Sequence, residues 1–218
     1  MVPNGSYRSR LLRRGLWLSL STVAWNVVEA VVAIAAGAIA SSVALISFGI
    51  DSSVEIISAV VVSWRLWREY RGRAAQNTDL LERRAARITG GLLLLLAVYI
   101  VVDAGRRLIG FGEEADASLA GIALTGLSLL VMPLLGWAKL RTAHALQSAA
   151  MRADAFETIA CAWLSLTTLL GLALNAAFGW SWADPLAAML ITPMIVHEGI
   201  AGWQSGNRSQ AFRESTME

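Results

Sequence analysis

The sequence predicts an all-α polytopic membrane fold, six transmembrane helices arranged as a three-plus-three inverted repeat, on three observations. Mean hydropathy is +0.56, with 56% of the 218 residues hydrophobic. Apolar stretches near or above the ~20 residues that cross a bilayer core recur along the chain. One spaced set of polar residues occurs twice, first as Ser42, Asp51, Ser52 and Glu55, then as Ser148, Glu157, Thr158 and Cys161.

The first span, residues 17–40, carries Asn26 and Glu29 and is too long for the apolar core of a cleaved signal peptide. The second, 43–66, holds Asp51 and Glu55. The third, 88–109, contains Asp103, and the fourth is 119–140. The fifth, 154–178, opens on Asp154 and carries the second copy of the pattern, and the sixth is 183–203. Only a short polar tail, 204–218, follows, so the chain is expected to be one transmembrane domain, residues 1–218.

Of the 18 Lys and Arg, every one except Arg106 and Arg107 falls on the same side of these spans. Lys139, Arg141 and Arg152 are counted there, between the fourth and fifth. Positive charge stays on the cytoplasmic side during insertion, so both termini are expected in the cytoplasm of an integral protein of the cell or plasma membrane. The net charge of +2 resides in these loops, where it faces water and anionic membrane lipid. It implies no nucleic-acid partner. Cys161 is the one cysteine, so no intramolecular disulfide can form. Tryptophans at the predicted span ends, among them Trp17, Trp64, Trp67, Trp180, Trp182 and Trp203, fit an interfacial belt.

Ionisable groups in lipid are expensive, about 2.5 to 3.5 kcal/mol each on insertion scales, so acids repeated at matched positions point to function. Residues at i and i+4 share one helix face, so Asp51 with Glu55 and Glu157 with Cys161 can each offer two donors to one ion. Two such helices face to face make a four-ligand tetrahedral site for a divalent metal cation. A thiolate in the set favours zinc, whereas three carboxylates also suit manganese or ferrous iron. Ligands must be deprotonated to bind, so metal entry releases protons, which is the physical basis for proton antiport. With three spans per half, the second half enters the membrane inverted, an architecture of secondary transporters whose substrate site lies between the halves.

Other polar residues within the spans fit more than one role. Asn26, Glu29 and Asp103 suit helix-to-helix hydrogen bonds or a proton path. Asp154 suits a gating or ligand-supporting acid, or a helix N-cap neutralised by Arg152, and the cap is the favoured reading. His197 and Glu198 are expected to be interfacial and solvated. An enzyme is not expected, since the His-Glu-x-x-His of a membrane zinc protease is absent.

The segments SSVALISFGIDSSVE and SAAMRADAFETIAC resemble the cation diffusion facilitator family, whose second and fifth spans each carry a ligand pair nine residues after a serine. The likeness extends to Asn26, Glu29 and Gly37 in span one and to the WADP opening of span six, with Asp184. It implies a homodimeric transporter that exports a divalent cation, zinc first, in exchange for protons, with Asp51, Glu55, Glu157 and Cys161 as ligands. Glu157 and Cys161 depart from the family's usual His or Asp and Asp. The resemblance is nearest to the short transmembrane protein 163-like branch, which has no cytoplasmic domain after span six. The alternative is a non-transporting membrane subunit that binds a metal or a partner on the same scaffold.

Overall fold

The computed structural model describes residues 5–40, 43–72, 78–111 and 119–207. Ser42, Arg73, Arg208, Arg213 and most of the expected tail lie outside the described residues. The described residues form seven helices: α1 (Gly5–Ala40), α2 (Val43–Tyr70), α3 (Thr78–Leu108), α4 (Leu119–Leu146), α5 (Ala149–Phe178), α6 (Ala183–Met189) and α7 (Thr192–Asn207). Among the described residues there is no strand. Among the described residues six segments are long and apolar enough to cross a membrane, and the expected sixth span is α6 and α7 taken together, Ala183–Ser205.

The break in that span follows from Pro193. Its ring has no N–H for the carbonyl of Met189 and would strike it, so α6 ends there and α7 restarts three residues later, at Thr192. At the basic end the helices run past the apolar windows; α3 begins at Thr78, well before the expected residue 88. Hydropathy reports only the lipid-embedded part, while backbone hydrogen bonding continues into water, helped here by Asp79 in the first turn of α3.

Helices α1 and α2 pack as a hairpin, as do α4 and α5; α1 also meets α4, α2 meets α5, and α3 lies against α7 and α5. Equivalent helices of the two halves therefore occupy equivalent places. Lipid supplies no hydrophobic drive between helices, so small residues that let backbones approach closely hold the bundle together. Ala33, Ala59, Ala86, Ala150 and Ala160 are fully buried. A Cβ added at Gly90 of α3 would lie 2.6 Å from the backbone nitrogen of Trp203 and 2.8 Å from the carbonyl oxygen of Gly199, so only glycine permits the α3–α7 crossing.

Charged side chains close the basic end. Arg65 of α2 pairs with Glu69 (2.8 Å) and with Glu82 of α3 (2.7 Å), and Arg8 of α1 reaches Glu69 (2.5 Å). Ser148 caps α5, accepting from the Met151 backbone N–H (3.1 Å) while donating to Glu82 (3.0 Å). Ser148, the serine of the pattern's second copy, is thus a capping residue at the end of the bundle, and the cap expected of Asp154 belongs to it.

Candidate metal centre

The i, i+4 geometry places Asp51 and Glu55 on the face of α2 turned toward α5, and Glu157 and Cys161 on the facing side of α5. All four line one cavity of about 10 Å³, with Val54 and Leu96 as its apolar walls. That is room for about one water-sized particle. Glu55, Glu157 and Cys161 are buried and Asp51 is half-buried. Among the described residues, no three His, Cys, Asp or Glu side chains are drawn closely enough together to hold an ion as they stand.

Hydrogen bonding explains part of that looseness. Thr158 Oγ1 donates to Glu55 Oε1 at 2.6 Å, tying this carboxylate to α5. Glu157 is different: both of its oxygens are buried without a well-formed hydrogen bond, with the Ser58 hydroxyl of α2 as polar company. Leaving a carboxylate in that condition costs several kcal/mol unless a cation or proton joins it. Asn26 of α1 is likewise fully buried, and neither its amide nitrogen nor its oxygen makes a well-formed bond.

Glu29 of α1 accepts hydrogen bonds from Ser52 of α2 (3.2 Å) and from Ser128 of α4, so it ties three helices beside the cavity. The hydroxyl residues that follow the two first donors, Ser52 and Thr158, therefore both serve buried carboxylates. Asp103 stands apart, toward the end opposite the basic one. It pairs with Arg107 (2.9 Å), which also pairs with Asp184 of α6 (2.9 Å). These residues, with Asp51, Tyr99 and Thr125, line an open cavity of about 120 Å³. Asp51 borders both cavities.

Three expectations are corrected here. Lys139 is not a solvated loop residue: it lies within α4, wholly buried, with its ammonium 2.9 Å from Asp154, itself wholly buried. Asp154 is accordingly no N-cap neutralised by Arg152. Arg152 pairs instead with Glu198 (2.6 Å), which is 9% exposed rather than solvated; His197 is exposed as expected. The apolar count alone misplaced Lys139 because it sits near the end of its span. A helical signal was present in the sequence, for Lys139 shares a stripe with Met132, Gly136, Ala143 and Leu146, all of them buried.

Comparison with known proteins places the chain in a lineage. The chain is 28% identical over 155 residues to an uncharacterised transporter of Synechocystis sp., covering 70% of this chain and 50% of that one. It is 25% identical over 166 residues to a protein of Bacillus velezensis named as a cadmium, cobalt and zinc/H(+)-K(+) antiporter, covering 75% and 52%. The protein of the same name in Bacillus subtilis is 24% identical over 166 residues, covering 75% and 53%. The chain spans about half the length of the curated relatives it matches. The cation efflux transmembrane domain matches residues 19–201. With that match over most of its length, the chain belongs to the cation efflux family.

Proposed function

We propose that the protein exports a divalent metal cation from the cytoplasm in exchange for protons, with zinc as the first substrate to test and Asp51, Glu55, Glu157 and Cys161 as its ligands. The observation that carries this reading is Glu157, whose two buried oxygens lack well-formed partners in a cavity that it shares with the other three donors. A carboxylate so placed is stabilised by a cation or by a proton, and alternation between the two is what antiport requires. Relatives named as cadmium, cobalt and zinc antiporters support the substrate class.

The access path fits the same reading. With both termini in the cytoplasm, the cavity lined by Asp51, Asp103, Arg107 and Asp184 opens away from the cytoplasm, while the Arg65, Glu69 and Glu82 ion pairs close the cytoplasmic side. The ion leaves past Asp51, and the reverse opening needs those pairs to part. Flux into proteoliposomes with zinc, cadmium, cobalt and manganese, under imposed pH gradients of either sign, tests the proposal. Metal uptake coupled to opposite proton movement is expected. Metal binding without flux supports the non-transporting alternative instead.

A further inference from the structure

Lys139 has no part in the ligand set, yet it is a wholly buried cation two hydrogen bonds from one of the ligands. Its Nζ lies 2.9 Å from Asp154 Oδ2 and 3.0 Å from Thr158 Oγ1, and Thr158 in turn is 2.6 Å from Glu55 Oε1. An ammonium only donates, so it occupies an acceptor lone pair of the threonine oxygen. The single hydroxyl hydrogen must then go elsewhere, to Glu55 or to the Asp154 backbone carbonyl at 3.2 Å. The shorter contact and the charge on the carboxylate favour Glu55.

We propose that Lys139, held by Asp154, is a positioning residue for the metal site, fixing the Thr158 hydroxyl so that it donates to one oxygen of Glu55 and turns the other toward the cavity. The inference rests on the reading of Glu55 as a ligand. The relay crosses from α4 to α5 to α2, so it also sets the distance between the two ligand-bearing helices. Groups that hold metal ligands in this way change metal affinity by about 10–100-fold when removed.

Zinc binding to the full chain in detergent, measured by competition with a chromogenic chelator, tests this. Thr158→Val is expected to weaken zinc binding by about tenfold or more, and Thr158→Ser, which keeps the hydroxyl, to stay within about twofold of the parent. Lys139→Met combined with Asp154→Leu removes the relay without leaving a lone charge and tests it independently of Thr158. It should match Thr158→Val, and adding Thr158→Val to that pair should cost nothing more. Parental affinity in Thr158→Val or in the pair, or additive losses in the triple variant, would overturn the proposal. Glu55→Gln separates the two readings: parental zinc affinity in that variant removes Glu55 from the site and the relay with it. Lost affinity there beside parental affinity in Thr158→Val removes the relay alone.

Discussion

Helices α2 and α5 carry the same spacing in different surroundings. On α2, Asp51 is half-buried and borders the open cavity, and the nearby carboxylate of Glu29 is held by the Ser52 and Ser128 hydroxyls. On α5, Glu157 and Cys161 are each 3% exposed, and one turn earlier the Lys139–Asp154 ion pair anchors the helix to α4. Asp51 of α2 thus meets the open cavity, and Glu157 and Cys161 of α5 lie in the interior. Matched spacing sets where donors lie; the neighbours set what each donor does.

The widest test of that contrast removes one donor from each arm. Glu157→Ala and Asp51→Ala are both expected to lower metal flux in proteoliposomes by roughly two orders of magnitude or more, beyond the loss seen when only a supporting group is removed. Folding should survive, since each change takes an unpaired acid out of the membrane. Full flux in a well-expressed variant of either kind would sink the site assignment.

The anchoring side is tested next. Lys139→Met alone strands the Asp154 charge in the interior and should destabilise the protein by about 3–5 kcal/mol, whereas the pair Lys139→Met with Asp154→Leu should recover most of that. Thermal unfolding in detergent reads both. Equal melting temperatures for the single variant and the parent would mean that α5 is not anchored by this ion pair.

Cys161 sharpens the contrast in metal preference. If its thiolate is a ligand, Cys161→Asp should transport manganese better relative to zinc or cadmium, and Cys161→Ser should weaken all three. Competitive uptake into vesicles decides it. An unchanged zinc-to-manganese ratio in a transporting Cys161→Asp protein removes Cys161 from the site.

The smallest expected effect lies at the open cavity. Arg107→Gln frees Asp103 and Asp184 from their shared cation, leaving the mouth more negative and raising by a few-fold at low salt the rate at which metal enters from that side, against the direction of export, as read by flux in proteoliposomes. Raising ionic strength to about 1 M, where charges are screened within ~3 Å, should erase the difference. A salt-independent change would assign Arg107 a structural role instead.

What could be read from the sequence was whatever depends on composition and local spacing. The six spans follow from apolar length, because lipid obliges each crossing to satisfy its own backbone. That Asp51, Glu55, Glu157 and Cys161 border one cavity was foreshadowed because i, i+4 spacing on a helix puts both members of each pair on one face whatever surrounds them. Lys139, Asp154 and Arg107 were not, because their roles depend on partners distant in sequence. The separations are 15 residues for Lys139 to Asp154 and 77 for Arg107 to Asp184. A lysine near a span end reads as solvated until a second helix covers it. Whether a buried charge is neutral in effect, gating or anchoring is decided by which opposite charge the packed bundle brings within about 3 Å, and that contact exists only once α4 and α5 have closed on each other.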